Sequence, residues 1–316
     1  MADKKIIAVV GATGAQGGGL ARAILNDSGS DFAVRALTRK PDSDPAKAMA
    51  AQGAEVVQAD LDDEASIRRA FEGAYGAYCL TNFWEHFSAD KEIEQAANMA
   101  RAAKTTGIQH AIWSTFEDTR KWIPLDDDRM PTLQGRFKVA HFDGKAEANR
   151  FFTESGVPTT LLLTSFYWEN FIFFGLGPQR GADGKLAVTY PMGDKKLPSI
   201  AVEDIGKCVY GIFKRGSEFI GNTVGVAGEH PTGAEIAAAF TRTLGEEVVY
   251  NDVPPDVFRG FGFPGADDVG NMFQFKRDAN DDYCAARSVE FSRSLNPALQ
   301  SLDGWLAANK DRIPIA

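Results

Sequence analysis

Ile6-Ile7-Ala8-Val9-Val10-Gly11-Ala12-Thr13-Gly14-Ala15-Gln16-Gly17 is the stretch that decides the fold. An apolar, partly β-branched run stops at a glycine-rich turn, and beyond it Leu20, Ala21, Ile24 and Leu25 fall on one face of a helix. Strand, turn and helix in this order form the unit that holds a dinucleotide pyrophosphate. Gly11 allows the tight turn, Gly14 lets the backbone approach the phosphates, and Gly17 lets the helix pack on the strand. Thr13, Ala15 and Gln16 complete the candidate cradle. The helix start offers unpaired N–H groups and a partial positive charge to the anion.

The next strand end selects between cofactors. Phe32–Lys40 reads as strand two, with Arg39 and Lys40 at its tip. A site choosing NAD places an acid here to accept from the ribose 2′-hydroxyl, whereas no carboxylate appears in this chain until Asp42. Arg39 can clamp a 2′-phosphate with its planar fork and stack on the adenine. The expected cofactor is therefore NADP(H), reduced or oxidised, since both carry the 2′-phosphate.

Outward from this unit, strands and helices alternate. Further strands are expected at Glu55–Asp60, Ala74–Leu80, His110–Ser114 and Thr159–Leu163, with helices at about 65–71, 89–106 and 142–154. Alternation at this length implies an α/β fold with a Rossmann-type, doubly wound parallel sheet, whose ligand lies at the carboxyl ends of the strands. Strand-end residues are thus the site candidates. Asp60 and Leu61 would meet the adenine, and Thr81, Asn82 and Phe83 would run beside the ribose and nicotinamide. A plain turn or cap role is the competing reading for each.

The second half is less regular and reads as a smaller, mainly helical C-terminal lobe. The expected division is a dinucleotide-binding domain over 1–163, with segments near 197–227 returning to it, and a lobe over 164–196 and 228–316. The aromatic run of the lobe, Phe166, Tyr167, Trp168, Phe171, Phe173 and Phe174, reads first as core packing. A small-molecule substrate near Tyr167 and Trp168 is the functional alternative.

Composition sets limits. The chain has 316 residues and is 44% hydrophobic, enough for a large core. A net charge of −9 opposes direct nucleic-acid binding. No uninterrupted apolar run approaches the roughly 18 residues of a membrane span. Met1-Ala2-Asp3-Lys4-Lys5 runs directly into strand one, so no signal peptide is expected. Cys79, Cys208 and Cys284 are widely spaced and suit a reducing, cytoplasmic setting. His86, His110, His141 and His230 show no ligand spacing, so no metal is expected.

The glycine turn, Thr81-Asn82-Phe83-Trp84-Glu85, His141-Phe142-Asp143-Gly144-Lys145 and Gly262-Phe263-Pro264-Gly265-Ala266 resemble the NmrA-like branch of the atypical short-chain dehydrogenases. With Asn271-Met272-Phe273, the last segment is most similar to the NmrA-like family-domain proteins that act as NADPH sensors. The resemblance spans the chain. It implies an NADP-binding Rossmann domain, regulated contacts with a protein partner and self-association as a homodimer. The family also contains NADPH-dependent reductases.

Active short-chain dehydrogenases carry a Tyr as acid/base with a Lys four residues on, and a Ser at the end of strand five. By this resemblance Lys145 matches the Lys, Ser114 matches the Ser, and His141 stands where the Tyr would be. A histidine has a proton to give near neutral pH, its ordinary pKa being about 6.5, but a satisfied helix histidine is the competing reading. Lys145 is expected to anchor the nicotinamide ribose. In the reductase relatives it is the proton-transfer residue, which requires burial or a nearby cation. A surface salt bridge to Glu147 or Glu154 is its bland alternative. Two functions follow: a redox or nucleotide sensor, favoured by the missing Tyr, or an NADPH-dependent reductase of a small carbonyl, quinone or aryl ether. A nucleotide-sugar dehydratase or epimerase is less favoured, because those relatives keep the Tyr.

Overall fold

Lys5–Val9 forms β1, and its last three residues are fully buried, as a central strand covered on both faces requires. The computed structural model describes residues 4–315. Along the first part of the chain follow α1 (Ala15–Leu25), β2 (Phe32–Thr38), α2 (Asp44–Ala51), β3 (Glu55–Gln58), α3 (Glu64–Phe71), β4 (Gly76–Cys79), α4 (Ala89–Thr106), β5 (His110–Thr115), α5 (Ala140–Thr153) and β6 (Thr159–Leu163). Next come β7 (Phe166–Tyr167), α6 (Asn170–Phe173), β8 (Gln179–Arg180), β9 (Leu186–Tyr190), β10 (Ser199–Ile200), α7 (Val202–Lys214) and β11 (Thr223–Gly225). The chain ends with α8 (Gly233–Leu244), β12 (Val248–Asp252), α9 (Pro255–Arg259), α10 (Ala266–Asp278) and shorter helices at Asn280–Ala285, Val289–Leu295 and Leu302–Asn309.

Seven strands form the main sheet in the order β11-β6-β5-β4-β1-β2-β3, and the pairings from β3 across to β6 are parallel. Strand order reverses beside β1, which makes its carboxyl end the topological switch point where ligands bind in open α/β sheets. This is the doubly wound Rossmann-type sheet that the alternation implied. One face carries a core of Ala8, Ile67, Phe71, Met99, Trp113 and Phe152.

The helix ends follow local chemistry. Asp63 caps α3 by accepting from the Ala65 N–H, and Ser88 caps α4 by accepting from Lys91. Gly107 ends α4 in the left-handed region, φ 72°, where a glycine avoids the Cβ clash.

The chain divides into two compact units. The first comprises the residues up to Glu117, Gly144–Thr164 and Val202–Val224. The second comprises Asp118–Asp143, Ser165–Ala201 and the chain from Gly225 onward. Asp118–Asp143, read from alternation as part of the first domain, groups with the second unit. The physical reason is polar pinning within that unit: Asn271 Nδ2 donates to the carbonyls of Pro131 at 2.9 Å and Lys138 at 2.6 Å, and Gln274 Nε2 to that of Arg129 at 2.8 Å. The second unit is largely helical and contains two small sheets, β10-β7 and β12-β9-β8.

His110 lies fully buried at the start of β5, its Nε2 2.9 Å from Thr160 Oγ1. Burial pushes its pKa down to about 4. The folded chain therefore disfavours a proton that the unfolded chain accepts below about 6.5, so stability is complete above that pH and declines as pH falls towards about 4. Over that window the loss is about 3 kcal/mol. His110→Gln should flatten the decline, as read from urea midpoints between those two pH values; an unchanged slope would assign it to other groups.

Candidate active and cofactor-binding site

The turn after β1 is shaped by clearances that no side chain would meet. Gly11 sits at φ +60°, and its carbonyl accepts from the Gly14 N–H at 2.8 Å. A Cβ on Gly17 would stand 2.4 Å from the Val10 carbonyl oxygen and 2.5 Å from that of Gly11. Only a bare α-carbon lets α1 start this close to the strand. Intrahelical bonding begins where Gly18 donates to Gly14, so the N–H groups of the first turn have no carbonyl within the helix to bond. Thr13, Gly14, Ala15 and Gln16 all retain exposed surface there. Gln16 also ties the turn to the sheet, its Oε1 accepting from Tyr78 Oη at 2.6 Å and Ser114 Oγ at 2.9 Å. Ser114 is thus a buried partner of the turn.

Arg39 and Lys40 are exposed beyond β2. Arg39 is not alone: its Nη2 lies 2.6 Å from Glu85 Oε1, both side chains remaining about half exposed. Arg39 thus reaches past the end of β1 to the loop after β4. Asp60 is exposed and accepts from the Asp62 N–H in a tight turn, while the Leu61 carbonyl accepts from Asn98 Nδ2 at 2.8 Å. Asn82 is exposed, whereas the Phe83 ring is buried against Trp84 and Phe87 and offers only its backbone.

Lys145 is held by partners from elsewhere in the first unit. Its ammonium is buried and donates to Glu92 Oε1 at 2.8 Å, Thr81 Oγ1 at 2.5 Å and the Thr81 carbonyl at 3.2 Å. Thr81 Oγ1 in turn donates to the same Glu92 oxygen at 2.6 Å. The partner is neither Glu147 nor Glu154. Gly144 makes the approach possible: a Cβ there would be 2.9 Å from Ala89 Cβ, so α5 and the first turn of α4 meet closely. Asn149, one turn beyond Lys145, fixes α5 to β5 by accepting from Trp113 Nε1 and Thr115 Oγ1. Glu92 itself is fully buried, and its Oε2 has no hydrogen-bond partner among the described residues. A signal existed: Glu92 interrupts the small apolar stripe Ala89, Ala96, Met99, Ala100 and Ala103 at helical spacing.

His141 belongs to the second unit, where its Nδ1 pairs with the Asp268 carboxylate; the other carboxylate oxygen accepts from the Ala140 N–H at 2.5 Å. Asp268 was also missed, since nothing local links it to the start of α5. Asp143 accepts from Thr119 and from the Lys138 and Val139 N–H groups. Burial still holds its pKa above the ordinary carboxylate value.

The lobe aromatics divide. Trp168 has no exposed surface, and its indole N–H donates to Ser199 Oγ at 2.9 Å. At Trp168 the core reading holds: the ring faces inward and its polar atom is satisfied, as core packing requires. Phe166 and Phe171 are likewise buried, Tyr167 is partly exposed, and Phe173 and Phe174 are 66% and 55% exposed. Among the described residues no helix is long and apolar enough to cross a membrane.

The family model of the NmrA-like family matches residues 3–306. The NmrA-like family domain-containing oxidoreductase FrzB of Cladobotryum sp is 28% identical over 304 residues, covering 90% of this chain and 88% of that protein. Among solved structures, NmrA, a negative transcriptional regulator, in complex with NADP, superposes with a TM-score of 0.77 at 23% identity, covering 96% of this chain and 95% of that one. The Citrobacter sp. triphenylmethane reductase complexed with NADP(H) gives 0.74 at 18% identity, covering 98% and 99%.

Proposed function

This chain belongs to the NmrA-like family, and from that premise we propose that it binds NADP(H) on its first unit and acts as a redox or nucleotide sensor through cofactor-dependent protein contacts. The fit to a dinucleotide rests on the close strand-to-helix turn that a Cβ at Gly17 would force apart, on the open approach at Gly14, and on the cation of Arg39 beyond β2. Gly11, Thr13, Gly14, Ala15, Gln16 and Gly17 would hold the pyrophosphate, Arg39 and Lys40 the 2′-phosphate, and Asp60 and Leu61 the adenine edge. Thr81, Asn82, the Phe83 backbone and Lys145 would flank the ribose and nicotinamide.

The observation that carries the sensor reading is the state of Lys145. An ammonium has three protons to donate, and all three meet protein acceptors. With its protons directed at Glu92 and Thr81, the ammonium aims none at an external substrate oxygen. Differential affinity for two conformations must supply the switching energy, and a homodimer or a regulatory protein is the partner class.

A second reading, an NADPH-dependent reductase of a small carbonyl, quinone or aryl ether, is favoured by the burial of the Lys145 ammonium and by the NADP(H)-bound reductase among its structural neighbours. Bound NADPH would supply the hydride, and the chain would supply the proton from Lys145 Nζ.

One measurement tests the cofactor site and a second separates the readings. Titration should give tight NADP+ and NADPH binding, weakened about tenfold or more for NADP+ but not NAD+ by Arg39→Ala. Equal loss for both would remove Arg39 from the 2′-phosphate. Single-turnover oxidation of bound NADPH should be absent across quinones, aldehydes and aryl ethers, while oligomeric state or partner binding responds to cofactor. Fast oxidation by any of these would make the protein a reductase.

A further inference from the structure

Resting on the cofactor reading above, we infer that Glu92 is an internal competitor of the cofactor for Lys145, and that its release couples cofactor capture to the start of α4. The ammonium can donate to a ribose hydroxyl only by giving up one of its three present acceptors. The ion pair with Glu92 is the contact whose loss matters most. Glu92 is fully buried, its Oε2 already lacks a partner among the described residues, and without the ammonium its carboxylate would keep only the Thr81 hydroxyl as donor. Stranding a buried charge is costly, so the backbone that carries it shifts towards a better-solvated arrangement. That backbone is the first turn of α4, held by Ser88, which accepts from the Lys91 N–H and, through its carbonyl, from Glu92. Close packing of Ala89 on Gly144 leaves no slack between this turn and α5.

This separates Glu92 from a residue that merely positions Lys145. If Glu92 aimed the lysine at the ribose, removing its charge would weaken binding; as a competitor, removing it strengthens binding. Glu92→Gln keeps the shape and one acceptor oxygen while abolishing the charge. The first test is calorimetric titration of NADP+ into the native chain and into Glu92→Gln. The second is amide hydrogen exchange over residues 88–96 with and without saturating NADP+. The expected result is about tenfold tighter NADP+ binding by the variant, and a cofactor-induced exchange change over 88–96 in the native chain that the variant lacks. Equal or weaker binding by Glu92→Gln overturns the inference, as does native exchange indifferent to saturating NADP+. Should the variant fail to fold, native exchange alone decides. Absence of NADP+ binding to the native chain would overturn the cofactor reading first, and this inference with it.

Discussion

Lys145→Met should destabilise the protein by about 3–5 kcal/mol, the range for removing one partner of a buried ion pair, rather than silently deleting a catalytic group. Methionine fills much of the lysine volume, but it leaves the Glu92 carboxylate buried, with the Thr81 hydroxyl as its remaining donor. The Trp113 ring, 5.4 Å from the lysine nitrogen, also loses its cation. Adding Glu92→Gln should recover part of the loss, with a coupling of about 1–3 kcal/mol between the two sites. Chemical denaturation of the native chain, both single variants and the double variant measures this coupling. Additive effects would show that the contact contributes nothing to stability. The result also governs how activity assays are read: turnover lost in Lys145→Met alone follows from unfolding as readily as from missing chemistry, so the double variant is the proper control.

Gly17→Ala should abolish dinucleotide binding and destabilise the first unit by about 3 kcal/mol, the upper part of the range for overpacking. The new Cβ would meet the carbonyl oxygens of Val10 and Gly11 at 2.4 and 2.5 Å, backbone atoms that cannot rotate away. To accommodate it, α1 must lift from β1, and its far side is equally constrained. A Cβ on Gly206 of α7 would stand 2.1 Å from the Gly19 carbonyl carbon, so those two helices touch backbone to backbone. Gly14→Ala is the informative contrast. Its Cβ would be 3.2 Å from the Gly11 oxygen and would otherwise face open space. It should fold with little loss yet bind NADP+ much more weakly, because the added methyl group occupies the approach of the phosphates. Thermal melting and cofactor titration of both variants provide the check. If Gly14→Ala bound as well as the native chain, the pyrophosphate would lie elsewhere.

The parts of this protein legible in its sequence are those governed by neighbours along the chain. The strand-to-helix turn at Gly11–Gly17 announces itself because positive φ and close backbone approach are available to glycine alone. The helix over Ala89–Thr106 shows its bounds because Ser88 and Gly107 are its caps. Thr159–Leu163 reads as a strand because β-branched and apolar residues are dense in it. By contrast β11, only Thr223–Gly225, carries too few residues to show a pattern, yet it completes the main sheet beside β6. β12 joins β9 in parallel across a long stretch of intervening chain, a pairing that local periodicity cannot express.

By itself the sequence determined the Rossmann-type sheet and the glycine turn after its first strand, since turn geometry and apolar periodicity are local properties. Only the tertiary structure decided what the candidate site residues touch. Arg39 meets Glu85, His141 meets Asp268, and Lys145 meets Glu92 rather than the acids on its own helix. The physical reason is that an ion pair depends on where strands and helices bring charges together, and on how much water they exclude there. Neither quantity is written in the spacing of residues along the chain.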